Sequence, residues 1–171
     1  MDMTIENVSK KWAFSIGLLQ SDLRSLLIYD PISGIFTWKD SGKEAGSVRN
    51  CYIYIQVKGH QYPAHVLAWF YVHGTWSLVD HKNNIRSDNS LDNLRPTTHQ
   101  LNAANRTFTG NNSGYKGVYR KGSKFEAGIK VNQRRIYLGL YNTAEEASEA
   151  YEQAAKEYFG EFANTGKAEA R

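Results

Sequence analysis

Cysteine is almost absent: Cys51 stands alone among 171 residues. One thiol excludes an intramolecular disulfide framework and any zinc site clamped by cysteines. Long apolar runs are missing too. None approaches the roughly 20 residues that a membrane helix needs, so no membrane partner is expected. The segment Met1 to Leu19 sets Lys10 and Lys11 before a short apolar patch. Ser15 and Gly17 break that patch, and no small-residue cleavage site follows. A secretory signal is therefore not expected, and the chain reads as a soluble protein of a reducing, cytoplasmic compartment. No internal repeat is visible. What remains is ample: 41% hydrophobic, 13% aromatic and 22% charged residues. That composition can bury a core in one ordinary domain or two small ones. A formal net charge of +4 and a pI of 9.1 favour a polyanionic partner.

The charge is unevenly placed. Between Gly110 and Tyr137 seven Lys or Arg face one acid, Glu126; between Thr143 and Glu161 six Glu face one Lys. The acidic stretch predicts a helix. Thr143 and Glu146 form a capping box, Ala147, Ala150, Tyr151, Ala154, Ala155 and Tyr158 recur at helical spacing, and Gly160 ends the run. Before it, extended runs at Tyr115–Arg120, Phe125–Val131 and Arg135–Tyr141 are parted by turns at Lys121–Ser123 and Asn132–Gln133. Three strands and a helix leave one sheet face for solvent or a partner. Asn111–Gly114 reads as a polar linker.

Upstream, Ser21 reads as the cap of a short helix reaching Ile28, stopped by Asp30–Pro31. Ile35–Trp38, Tyr52–Val57 and Gln61–Tyr62 read as strands, the last two joined by a Lys58–Gly59 turn. Ala64 to His73 reads as a buried aromatic helix. After Gly74 an apolar run delivers Asp80 and His81 to its end. A loop rich in Asn, Asp and Ser follows, and a helix beginning near Thr98 sets Asn102 and Asn105 nearly one turn apart.

Adjacent residues of a strand face opposite ways, so Asp80 and His81 suit two separate tasks. A carboxylate and an amide oxygen make a sparse oxygen site of the kind Mg²⁺ accepts, since that ion keeps waters and takes phosphate oxygens. A neutral imidazole can take a proton from water near neutral pH. Metal, base and phosphate together describe phosphodiester hydrolysis. Taken singly, each residue also has an ordinary structural reading. Asn83, Asn84, Asp88 and Asn89 read as turn residues, and His60, His73 and His99 as residues of turns and helix ends.

The joint spacing resembles the HNH, or ββα-metal, nucleases, and especially phage-type homing endonucleases. The matching residues are Asp80–His81, Asn93 twelve positions after the histidine, and Asn102 nine further on. The resemblance implies Asp80 and Asn102 as ligands of one Mg²⁺ or Mn²⁺ ion per site. It implies His81 as general base and Asn93 as the residue that orients it through its backbone. Ala64–Trp69 is similar to this group's preceding helix. Val66 stands where an arginine often follows the histidine, so His65 reads as structural. No structural zinc and no small-molecule cofactor are expected.

Tyr115–Arg120, Lys124–Ala127, Arg135–Gly139 and Thr143–Ala147 resemble a second family, the Apetala/ethylene-response-factor DNA-binding domain. There the free sheet face enters the major groove. The candidate DNA contacts here are Lys116, Arg120, Lys121, Lys130, Arg134, Arg135 and Tyr137. Tyr119 replaces a usual arginine, Gly128 a usual glutamate, and the shorter first turn lacks its tryptophan.

An α+β protein is thus expected: an N-terminal extension over 1–20, an HNH nuclease domain over 21–107 with hairpin and helix elements before the ββα motif, a linker over 108–114, and a βββα domain over 115–164. The reading is a metal-dependent endonuclease of a phage-infected or bacterial cell, acting on double-stranded DNA. Alternatives are a non-catalytic DNA-binding regulator on a vestigial nuclease scaffold, an RNA-binding or ribosome-associated protein, and a restriction enzyme. One metal centre cuts one strand, so a double-strand break calls for a homodimer or a second binding event.

Overall fold

The computed structural model describes residues 17–108 and 110–165, so most of the expected 1–20 extension lies outside the described residues. Among the described residues the architecture is mixed, with four α-helices and small sheets. Two compact units divide the chain, one running through Thr98 and the other beginning at His99. The 108–114 segment, expected as a linker, belongs to the second.

In the first unit, helix α1 (Gln20–Leu26) precedes the hairpin β1 (Leu27–Tyr29)–β2 (Phe36–Trp38). The sequence predicts helix up to Ile28 with Ser21 as cap. Instead Leu27–Tyr29 pairs with Phe36–Trp38, because the Asp30–Gly34 turn folds that strand back, and the free Leu19 amide donates to Asp22 at 3.2 Å. A second sheet, in the order β3 (Ser47–Arg49), β4 (Tyr52–Val57), β5 (His60–Pro63), is antiparallel throughout. Helix α2 (Ala64–His73) packs on it and is apolar almost all round, the pattern of a helix inside a core rather than on a surface. At its C-terminus the Gly74 N–H donates to the Phe70 carbonyl at 2.9 Å, and α1 adds further donors: Gln20 donates to Phe70 and Tyr71, and Arg24 donates to Tyr71 at 2.8 and 3.0 Å. The core joins Leu23, Leu27, Phe36, Ile55, Val57, Tyr62 and Leu67 to Val79 and Leu94. Those last two residues belong to the hairpin β6 (Val79–His81)–β7 (Leu94–Pro96), which is thereby anchored from below.

In the second unit, helix α3 (His99–Asn105) is followed by an antiparallel sheet of β8 (Val118–Lys121), β9 (Lys124–Val131) and β10 (Arg134–Tyr141), with β9 central. Helix α4 (Ala144–Phe159) crosses one face, capped as its sequence predicts: Glu146 N–H donates to the Thr143 hydroxyl, and Thr143 N–H to the Glu146 carboxylate. Ala147, Ala154 and Ala155 bring it close to Val118, Ala127 and Ile129. Lys116 ties α3 into this unit by donating to the carbonyls of Ala104, Arg106 and Asn164 at 2.6, 3.0 and 3.0 Å. Burial holds its ammonium down to about 8.

Candidate functional site

The β6–β7 register sets Asp80 opposite Arg95 and His81 opposite Leu94. Strand alternation then turns Asp80 and His81 to opposite faces, as read from the sequence. Asp80 is buried, and one carboxylate oxygen accepts from Arg95 Nη2 at 3.1 Å and Nε at 3.3 Å. Such a fork offsets the cost of taking a carboxylate out of water, a cost that an unpaired buried charge would bear in full.

His81 is buried on the other face. Its Nε2 lies 3.1 Å from the side-chain oxygen of Asn89, itself 1% exposed. That oxygen only accepts, so Nε2 carries the proton and Nδ1 carries the lone pair. Burial holds the imidazole below its ordinary value, against the opposing pull of Asn89, Asp80 and Asp88, which keeps the ring neutral. Asn89 cannot shift. The Tyr29 hydroxyl donates to its carbonyl at 2.7 Å. Gly34 presses so close that a Cβ there would sit 2.3 Å from the Asn89 carbonyl carbon, and its φ of +74° also favours glycine. Asn93, whose backbone is expected to orient the histidine, also ties the loop from both ends with its side chain. Its side-chain oxygen accepts from Asn83 N–H at 3.0 Å, and its amide donates to the Asp88 carbonyl at 2.8 Å, next to Asn89. Sequence reasoning took Asn89 for a turn residue. Only the fold reveals that it holds His81.

The imidazole is flanked by rings. His65 lies 4.8 Å from His81 and Tyr52 6.1 Å, while Arg86 sits 5.1 Å above Tyr52. His65 Nδ1 is buried with no hydrogen-bond partner among the described residues, and burial together with the His81 ring pushes His65 down to about 3.

Asn102 is half-buried on α3 in the second unit, beside the fully buried Asn105. Among the described residues no group of three or more His, Cys, Asp or Glu gathers as a cation site. The expected donors, Asp80 and Asn102, are a carboxylate and an amide. They fit a hard divalent ion by the chemistry of their oxygens, such an ion completing its shell with water and phosphate.

The second unit presents a sheet face away from α4. Register puts Tyr119, Lys121, Lys124, Glu126, Gly128, Lys130, Arg135, Tyr137 and Leu140 on it, opposite to the row of Phe125, Ala127, Ile129 and Val131 that packs inward. Of the seven contacts expected from the sequence, Lys121, Lys130, Arg135 and Tyr137 come together here. Arg120 and Arg134 share the register rows of Phe125 and Val131, and Lys116 is engaged with carbonyls.

Two measurements follow from this geometry. The neutral native His65 binds no proton until about pH 3, whereas an unfolded histidine binds one below about 6.5. Lowering the pH from 6.5 towards 4.5, above the carboxylate range, therefore favours the unfolded state and lowers the unfolding free energy. Urea titrations across that window should show the fall, and His65→Phe should flatten it. Asn89→Leu removes the acceptor of Nε2–H, so imidazole ¹⁵N shifts of His81 should report a move from the Nε2–H tautomer towards Nδ1–H. An unchanged tautomer would show that Asn89 does not hold the ring.

Residues 62–104 match the model of the HNH endonuclease family, a span that takes in α2, the β6–β7 hairpin, its loop and most of α3. Over 40 residues the chain is 45% identical to an ethylene-responsive transcription factor-like protein of Arabidopsis thaliana, covering 23% of this chain and 18% of that relative. With Asp80, His81 and Asn93 on one pinned hairpin inside the matched span, the chain carries an HNH endonuclease domain at residues 62–104.

Proposed function

We propose that the protein is a metal-dependent DNA endonuclease of the homing type. In this reading His81 takes the proton from the attacking water, and the C-terminal sheet docks the enzyme on duplex DNA. The observation that carries it is the neutral, buried His81, whose Nε2 meets the side-chain oxygen of Asn89 and whose uncharged ring can serve as a base. Asp80 and Asn102 are the proposed oxygen donors to a divalent ion, Mg²⁺ or Mn²⁺. When bound, the ion supplies charge neutralisation at the phosphoryl and leaving oxygens. Arg95 holds the Asp80 carboxylate in place, and Asn93 fixes the loop that brings Asn89 to the histidine. The arrangement of three strands followed by α4 resembles the Apetala/ethylene-response-factor domain, and the likeness to an Arabidopsis transcription factor-like protein supports nucleic acid as the partner of that sheet. The lysines of that face favour phosphate contacts there.

A second reading has one observation in its favour. Asp80 accepts twice from Arg95, as it would in a hairpin kept only for stability, leaving a DNA-binding regulator on an inert nuclease scaffold. Plasmid nicking in Mg²⁺, with and without chelator, separates the two. His81→Ala should lower the cleavage rate by about 10²–10⁴-fold while DNA binding stays within a few-fold. Cleavage at the normal rate in that variant would remove His81 from the mechanism.

Docking has its own test. Lys130→Ala should weaken duplex binding and reduce the log–log salt slope by roughly 0.9, the share of a single phosphate. Lys116→Met should lower the unfolding temperature, since three carbonyls lose their donor, and leave the slope alone. The opposite pairing of effects would move the docking surface away from this sheet.

A further inference from the structure

The proposed docking face contains one acid. Glu126 lies on the central strand, paired across to Tyr119 on β8 and Leu140 on β10, with its side chain 16% exposed. Its two carboxylate oxygens each hold a cation: Oε2 accepts from Lys121 at 2.9 Å and Oε1 from Arg135 at 2.7 Å. Arg135 reaches Glu126 from the level of Lys130, and the lane it uses is Gly128. A Cβ at Gly128 would lie 2.9 Å from the Arg135 Nε. At the end of that lane the guanidinium sits 4.8 Å from the Tyr119 ring centroid. One carboxylate, one missing Cβ and one aromatic face thus fix a single arginine across the sheet.

We propose that Glu126 is a specificity-determining residue of this face. It occupies two of the cations, so that they do not bind any phosphate backbone indiscriminately, and it presents the Arg135 fork in one fixed orientation. A flexible, unpaired arginine gains from every phosphate it meets, and that gain carries no sequence information. An arginine held flat by an acid and a ring releases its donors only to a partner whose acceptors replace them, such as the O6 and N7 edge of a guanine. Indiscriminate attraction is then left to cations such as Lys124 and Lys130. The inference rests on the reading that this sheet docks on DNA.

The test uses the full chain and random-sequence duplex DNA, followed by fluorescence anisotropy over a range of salt. Glu126→Gln keeps the shape and frees both cations, so the salt slope should steepen by roughly 1–2 units and binding to random DNA should tighten. Glu149→Gln, on the exposed side of α4, changes the net charge equally and should leave the slope nearly unaltered. Gly128→Ala displaces the Arg135 fork, the group nearest the added Cβ, and should steepen the slope by about one unit, which keeps the idea testable if Glu126→Gln is unstable. Identical behaviour of Glu126→Gln and Glu149→Gln, or weaker binding to random DNA in Glu126→Gln, would overturn the proposal. If Lys130→Ala also left the slope unaltered, the docking face itself would be misplaced. If Lys130→Ala lowered it, the face would stand and only the role of Glu126 would fall.

Discussion

The contact on which the candidate centre depends is the one between the Asn89 side-chain oxygen and His81 Nε2. A buried imidazole has two nitrogens and one proton, and whichever nitrogen meets an acceptor keeps that proton. Because Asn89 meets Nε2, the lone pair lies on Nδ1. Everything around Asn89 serves to keep it there. The Tyr29 hydroxyl and the bare backbone of Gly34 hold its main chain, and Asn93 grips the carbonyl just before it. The β1–β2 turn, far from His81 along the chain, is therefore part of the same device.

Opposite charges are used differently in the two units. In the first, Asp80 and Arg95 are cross-strand neighbours with almost no exposure, so each charge exists by virtue of the other. In the second, Glu126 pairs with cations that are more than half exposed, where water and salt weaken the attraction. The buried pair fixes a backbone register. The exposed cluster can be exchanged for a ligand, and that difference in desolvation is what separates a structural pair from a recognition element.

Much of the second unit is legible in the amino-acid order. The Thr143–Glu146 capping box and the alanine stripe predict α4, and alternation with a turn at Asn132–Gln133 predicts β9 and β10. In the first unit three of the five three-residue strands, β1, β3 and β7, escape notice, since so short a run shows little period of its own and forms against its neighbour. Ile28 reads as the end of a helix until Thr37 pairs with it. Asp80, His81 and Asn93 stand out through their spacing. Asn89 does not, because a buried asparagine that bonds a histidine and an asparagine in a polar turn have the same local sequence.

The sequence by itself determined the chemistry on offer: a chain with one thiol, a basic sheet followed by an acidic helix, and an Asp-His pair ahead of spaced amides. It also determined which way Asp80 and His81 face, because strand alternation is a local property of the backbone. Which groups answer them was decided only by the tertiary structure. Arg95 reaches Asp80, Asn89 reaches His81, and Arg135 crosses Gly128 to Glu126 through packing between segments distant along the chain or across strands, and no local period encodes pairings of that kind.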